Sequence, residues 1–270
     1  MSMQQDPMAQ SRILSVMPFT ISHAVLALPL KKLCKHQLPM AGLAIGCMAP
    51  DLAWLLSANV QSHQWSSLIF PDLLVGLFFA AVWYLIWRPI FYDYFRIRDP
   101  LQIVGIDGYC DFFLKLSIAI ILGAITHLLW DGLSHDDAKN IAFKEFLSQP
   151  ILFLNIQTKV SILTQILFSI VPLPIIFYML YRYYQDHKDM LQARSICSVF
   201  IMLCVIGAMI CGVIQVEKLA ENHAYETVSW FSYQMLSTSV FSFFRGFLSC
   251  FVLAMGVLRL FYIRVLTCNE

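Results

Sequence analysis

The stretch SICSVFIMLCVIGAMICGVIQV, residues 195–216, decides the fold class of this chain. None of its residues is charged. The hydrocarbon core of a bilayer is about 30 Å thick, and an α-helix rising about 1.5 Å per residue needs about 20 residues to cross it. The stretch is therefore long enough and apolar enough to form a transmembrane helix.

Further apolar runs predict four more crossings. They are Leu73–Trp87, which can be extended at both ends, Phe112–Trp130, Val160–Tyr181 and Thr238–Leu258. Arg245 lies close to the start of the last run, where its side chain can reach the membrane interface. The composition agrees, because 59% of the residues are hydrophobic and only 13% are charged, whereas a soluble domain has about 25% charged residues.

The N-terminal region predicts a helical hairpin. Ser22–Leu33 and Leu38–Leu56 are apolar and flank the basic turn Lys31–Lys35. The first helix is too short to span alone, so the hairpin either re-enters the membrane or supplies a sixth and seventh crossing. Met1–Val16 is largely polar and has no apolar signal-peptide core. We expect residues 1–16 to be an N-terminal extension and residues 17–270 to form one all-α, polytopic transmembrane helix bundle, with about five spans plus this hairpin.

Basic residues in the loops predict the orientation, because cytoplasmic loops carry an excess of Lys and Arg. The basic turn and the loops after the first, third and fifth spans fall on one side, with Arg88, Arg96, Arg98, Arg182, Lys188, Arg194, Arg259 and Arg264. The opposite loops hold Lys139, Lys144, Lys159 and Lys218. This bias predicts a cytoplasmic C-terminus. The net charge of +1 gives no reason to expect a nucleic-acid partner, so membrane lipids are the expected surroundings.

Ionisable side chains interrupt the apolar segments. Such residues are costly in a membrane and usually face the protein interior or a water-filled cavity. His127 and Asp131 are four residues apart and share one helix face, and His135 joins them if the helix persists past Gly132. The predicted topology places three more at the same membrane face: His23, Asp51 and His63. Imidazole and carboxylate ligands suit zinc and related ions.

Four of these residues also have a simpler interpretation. His127 alone would usually be a hydrogen-bonded packing residue, and His23 an interfacial one. Asp51 follows a proline and can cap a helix. His135 precedes two aspartates and can belong to a solvated loop. The shared face favours a divalent-metal site, most simply zinc, with the ligands His23, Asp51, His63, His127, Asp131 and His135.

Three motifs carry a resemblance to a known family. MPFTISH (residues 17–23), IGCMAPD (45–51) and GAITHLLWD (123–131) look like the hallmarks of the DUF4184 family, a bacterial membrane-protein family of unknown function. The resemblance runs from Met17 almost to the C-terminus. It implies a location in the bacterial cytoplasmic (inner) membrane.

More distantly, the order of these residues is similar to that of YdjM-type membrane-bound metal-dependent hydrolases. It also resembles zinc-dependent phospholipase C and the S1/P1 nucleases, which are helical phosphoesterases. That resemblance implies that Asp131 is a bridging carboxylate and that the remaining metal ligands are His23, Asp51, His63, His127 and, as a weaker match, His135. Those phospholipases add a later HxxxE motif, which this sequence lacks.

Two functions follow as hypotheses. In the first, a membrane-embedded hydrolase uses one or two metal ions to activate water against a phosphoester or lipid-like substrate, and Asp51 or a nearby unliganded carboxylate takes the proton. In the second, a non-catalytic transporter, ion-binding or scaffolding protein uses the same residues as a proton or metal path. A path across the bilayer needs ionisable residues at several depths. Val160–Tyr181 and residues 195–216 contain no Asp, Glu, His, Lys or Arg, which favours the hydrolase.

Overall fold

A computed structural model describes residues 20–56, 61–137, 139–153, 156–189, 198–223 and 233–267. The predicted extension at residues 1–16 lies outside the described residues. The α-helices are α1 (Ala27–Leu33), α2 (Met40–Gly46), α3 (Ala49–Leu56), α4 (Leu74–Val82), α5 (Arg88–Phe95), α6 (Gly105–Ser134), α7 (Lys144–Leu147), α8 (Val160–Ile170), α9 (Pro172–His187), α10 (Ser198–His223) and α11 (Tyr233–Thr267). Narrower 3₁₀ turns occupy Thr20–Leu26 and Trp65–Ser67, and wider π-type turns occupy Leu68–Leu73 and Trp83–Trp87.

Five helical stretches of the described chain are long and apolar enough to cross a membrane. They are Trp65–Phe95, Gly105–Ser134, Val160–His187, Ser198–Glu221 and Thr238–Tyr262. The prediction of an all-α, polytopic transmembrane bundle is confirmed. The first stretch begins upstream of the predicted Leu73 and is built from α4, α5 and the turns before each, so it includes the buried carboxylate of Asp72.

The N-terminal hairpin consists of short helices. α1 and α2 have 7 residues each and α3 has 8, well below the roughly 20 that a crossing needs. The predicted helix Leu38–Leu56 is broken after Gly46, where α2 ends, and α3 begins at Ala49. α2 runs parallel to α6, because Gly42 lies against Leu116 and Gly46 lies against Ile120.

The third span has a break that receives the N-terminal turn. Pro172 starts α9, and proline supplies no amide hydrogen to the preceding helical turn. One residue before the end of α8, the carbonyl of Ser169 accepts a hydrogen bond from the hydroxyl of Ser22. This contact fixes the Thr20–Leu26 turn, and with it His23, against the third span.

Two smaller features complete the bundle. A β-hairpin that the sequence did not predict, with β1 (Pro150–Phe153) antiparallel to β2 (Ile156–Lys159), joins α7 to α8. In the last span, Arg245 donates a hydrogen bond of 2.8 Å from Nε to the carbonyl of Leu55. The predicted interfacial arginine therefore ties α11 to the last turn of α3.

Candidate metal site

Five of the six predicted ligands converge at one place. His127 and Asp131 lie near the C-terminal end of α6, and Asp51 lies at the start of α3. They meet His23 from the N-terminal turn and His63 from the loop before the first span. Two overlapping groups have ligand atoms that all lie within 4.8 Å of one another: His23 with Asp51 and His127, and His63 with His127 and Asp131. Segments more than 100 residues apart in sequence, such as those of His23 and Asp131, thus meet in one buried cluster.

Close contact between two glycines and the facing backbone positions the central histidine. An added Cβ on Gly46 would lie 2.3 Å from the carbonyl oxygen of Ile120, and one on Gly123 would lie 2.5 Å from the amide nitrogen of Cys47. No other residue type permits such an approach. It brings the carbonyl of Cys47 to 2.8 Å from His127 Nδ1.

That carbonyl selects the tautomer of His127. A carbonyl oxygen only accepts hydrogen bonds, so Nδ1 carries the hydrogen and Nε2 of the neutral ring presents a lone pair. The side chain is fully buried and Nε2 has no hydrogen-bond partner. A histidine that donates from one nitrogen to a backbone carbonyl and offers the other to a metal is the usual arrangement in metalloproteins.

Four distances between candidate donor atoms are close to those of a tetrahedral shell. His63 Nε2 lies 2.9 Å from Asp51 Oδ1 and 3.8 Å from Asp131 Oδ2, while His127 Nε2 lies 3.6 Å and 3.2 Å from the same two oxygens. Donor atoms bound at about 2.0–2.2 Å to a tetrahedral zinc ion stand about 3.3–3.6 Å apart. Shifts of a few tenths of an ångström, two longer and one shorter, would bring these four distances into that range.

His23 approaches the other side of Asp131. Its Nε2 lies 3.8 Å from Asp131 Oδ1, and its ring centre lies 4.1 Å from that of His127. The two oxygens of Asp131 therefore face different histidines, which is the geometry a bridging carboxylate needs. His127 Nε2 has a single lone pair and can serve only one ion, so a second ion would depend on His23 and the remaining carboxylate oxygens.

His63 is held in a strained backbone conformation. Its φ of +69° lies in the left-handed region, which costs a non-glycine residue about 1–3 kcal/mol. The ring is fixed at both ends, with Nδ1 2.9 Å from the hydroxyl of Ser62 and Nε2 2.9 Å from Asp51 Oδ1. Because a hydroxyl can donate or accept, Ser62 supports the tautomer that frees Nε2 for a metal.

Burial favours the neutral form of the two outer imidazoles, His23 and His63. It lowers the pKa of His23 to about 3. Burial, together with the charge of Lys139, also lowers the pKa of His63. Neutral imidazole is the form that binds metal ions. When His127 is neutral as well, the carboxylates of Asp51 and Asp131 leave a buried charge of −2, which one divalent ion would neutralise.

His135 lies apart from the two groups. α6 continues past Gly132 but ends at Ser134, and His135 takes an extended conformation with φ −102° and ψ 150°. The backbone amide of His135 still donates to the carbonyl of Asp131 at 3.0 Å, but neither ligand group includes His135. Its Nδ1 lies 3.0 Å from the carbonyl of Asp131, and its buried Nε2 has no hydrogen-bond partner. Its role as a ligand stays a prediction.

The sequence reasoning missed Asp72. This residue is fully buried, Oδ2 lies 2.6 Å from the hydroxyl of Ser67, and Oδ1 has no hydrogen-bond partner. Its turn, Leu68–Leu73, packs on α6 and α3, the helices that carry three of the candidate ligands. The only sign of Asp72 in the sequence was that it is the single carboxylate in the apolar run Leu68–Trp87.

Comparison with known proteins identifies one family. No curated protein and no solved structure matches the chain. The family model described as Domain of unknown function (DUF4184) matches residues 17–257. That match covers most of the chain and includes the five converging residues, so the chain belongs to the DUF4184 family.

Proposed function

We propose that this protein is a membrane-embedded, metal-dependent hydrolase that acts on a phosphoester or lipid-like substrate. The observation that carries the proposal is the bare Nε2 of His127, buried against two carboxylates and a second imidazole at near-tetrahedral spacing. A divalent ion, zinc first, would take His63, His127, Asp51 and Asp131 as ligands. His23 would complete a second position.

The alternative to a metal is a set of protons. The carboxylate Oδ2 of Asp131 stands 3.2 Å from His127 Nε2 without a hydrogen bond, and two acceptors at that distance repel unless a cation lies between them. A proton on Nε2 would satisfy this one pair. A metal ion would satisfy four donor atoms at once, and it would balance both buried carboxylates, whose burial without compensation is costly.

Hydrolysis suits the position of the site. The metal would supply a Lewis acid that activates water and stabilises charge on the phosphoryl oxygens. His127 and Asp131 lie in the last turns of the second span and His63 just before the first, so the pocket is close to one membrane face. In a bacterial inner membrane with a cytoplasmic C-terminus, that face is exoplasmic. A substrate with an apolar tail could reach it from the bilayer and present its headgroup there.

A transporter or ion-binding protein is the second candidate. It is supported by the depth of the cluster, since Asp51, His127 and Asp131 are at most 1% exposed. Against it, the ionisable residues of the site gather at one end of the second span, while the central parts of the third and fourth spans contain none of Asp, Glu, His, Lys or Arg.

Metal analysis of the purified protein tests the proposal. The wild type should retain about one zinc ion per chain or more, and His127→Ala should lose it. His187→Ala is the matched control, because that histidine bonds the carbonyl of Tyr183 at the far end of the third span and should not affect metal content. Metal-loaded protein should hydrolyse bis(4-nitrophenyl) phosphate, and a chelator should stop the reaction.

The two measurements test metal binding and hydrolysis separately. Equal metal content in the wild type and His127→Ala would contradict the metal site and the hydrolase with it. Stoichiometric, His127-dependent metal without hydrolysis of phosphoester probes would favour the ion-binding alternative.

A further inference from the structure

Asp72 is a buried carboxyl group that the proposed ligand set does not use. It is carried by the Leu68–Leu73 turn, which packs on α3 and α6, and its carboxyl interacts electrostatically with His127 and Asp51. Its Oδ1 is buried and has no hydrogen-bond partner. A buried carboxyl group that packs on the helices of the candidate ligands is a candidate for proton transfer.

Counting hydrogens around Ser67 indicates where a proton resides. The hydroxyl of Ser67 has one hydrogen, yet it lies 2.7 Å from the carbonyl of Gln64 and 2.6 Å from Asp72 Oδ2. The amide of Gln64 donates to the same hydroxyl at 3.3 Å. If Asp72 were ionised, one of the two short contacts would join two acceptors. If Oδ2 carries a proton, it donates to Ser67, and Ser67 donates to the carbonyl of Gln64.

Charge balance points the same way. One divalent ion would neutralise the buried carboxylates of Asp51 and Asp131. A third buried negative charge at Asp72 would have no counter-charge, because its only hydrogen-bond partner in the described structure is the neutral side chain of Ser67. An uncompensated buried charge is strongly unfavourable, and such a group binds a proton instead.

We propose that Asp72 is the proton donor of the hydrolytic site. Its hydrogen bond to Ser67, which in turn bonds the carbonyl of Gln64, keeps the carboxyl group protonated at rest, and the proton passes to the leaving oxygen of the substrate. This inference rests on the proposed function. When the ester is cleaved, the oxygen of water forms the new bond to phosphorus and the bond from phosphorus to the leaving oxygen breaks. The proton of Asp72 passes to that oxygen, which departs as an alcohol. The proton that the attacking water loses then returns Asp72 to its resting state.

Infrared difference spectroscopy of the full-length, metal-loaded protein tests the resting proton without any substrate. The wild type should show the carbonyl band of a protonated carboxyl group at neutral pH. Asp72→Asn should abolish the band, and Ser67→Ala should shift it, because the carboxyl loses its hydrogen-bond partner. Asp93→Asn is the control, since Asp93 is a buried acid at the opposite end of the same span, and this variant should retain the band.

Two probes with different leaving groups test the donor role. Bis(4-nitrophenyl) phosphate releases a stable phenolate and needs little help from an acid, whereas a phospholipid in mixed micelles releases an alkoxide and needs a proton. Asp72→Asn should slow phospholipid cleavage by about 10²–10⁴-fold and cleavage of the nitrophenyl ester by less than about 10-fold. Metal content should be unchanged in this variant.

The outcomes distinguish this proposal from the proposed function. A wild-type protein without a carboxyl band that depends on Asp72 would overturn the proposal, and so would equal slowing of both probes. In either case the hydrolase would stand as long as the wild type cleaves phosphoesters. A wild type that binds metal and cleaves neither probe would overturn the hydrolase and the donor role together, even if the carboxyl band is present.

Discussion

Substitution of Gly123 by alanine tests whether the approach of α2 to α6 creates the candidate site. The new Cβ would lie 2.5 Å from both the amide nitrogen of Cys47 and the carbonyl oxygen of Leu43. Ordinary van der Waals contact begins at 3.4 Å, and both neighbours are backbone atoms that cannot rotate away. The two helices must therefore separate locally by about 0.9 Å, as those two distances require.

That displacement is large enough to break the contact that orients His127. Added to the 2.8 Å between His127 Nδ1 and the carbonyl of Cys47, it would give about 3.7 Å, which is outside hydrogen-bonding range. Loss of such a supporting contact typically lowers metal affinity by about 10–100-fold. Overpacking should also destabilise the fold by about 1–3 kcal/mol, although alanine in a helix is intrinsically favourable by about 1 kcal/mol over glycine.

Two further glycines serve as controls. Gly207 lies in α10 with nothing within 4 Å of an added Cβ, so Gly207→Ala should leave zinc affinity unchanged. Gly42 lies in α2 and also faces α6, but an added Cβ there would meet the flexible end of Leu116 at 2.8 Å. Gly42→Ala should therefore lower zinc affinity less than Gly123→Ala does. Zinc affinity is measured by competition with a chromophoric chelator, alongside thermal unfolding. Wild-type zinc affinity in Gly123→Ala would refute the reasoning.

Three further predictions follow from the fold. Reporter fusions placed after Arg98, His135, Arg194 and Glu221 should alternate across the membrane, with the fusions after Arg98 and Arg194 in the cytoplasm. Identical localisation of the fusions after Arg98 and His135 would contradict the topology. Arg245→Ala should lower the free energy of unfolding by about 1.5–3 kcal/mol, because the carbonyl of Leu55 loses a charged donor; an unchanged melting temperature would show that this bond contributes nothing. Asn140→Ala should destabilise the loop after α6 by about 1–3 kcal/mol, because the amide group of Asn140 donates to the carbonyls of Gly132, His135 and Ala142. Faster proteolysis of this loop is the expected result, and a wild-type rate would count against it.

The sequence alone determined the helical membrane architecture. A bilayer requires every spanning backbone group to be paired within its own segment, so length and apolarity identify a crossing without knowledge of its neighbours. The four-residue spacing of His127 and Asp131 was equally local, because helix periodicity places them on one face. Local rules did not locate the end of α6, which stops at Ser134, one residue before His135.

Only the tertiary structure decided how distant segments meet at the candidate site. The approach of Cys47 to His127 depends on the absence of a Cβ at Gly46 and Gly123, and no periodicity in either helix reveals which glycine faces which backbone. Asp72 was overlooked for a related reason, since its significance comes from burial against α3 and α6 rather than from a motif. Hydropathy reports how a segment interacts with the solvent around it, whereas a site is made by contacts between segments, and these are fixed only when the helices pack.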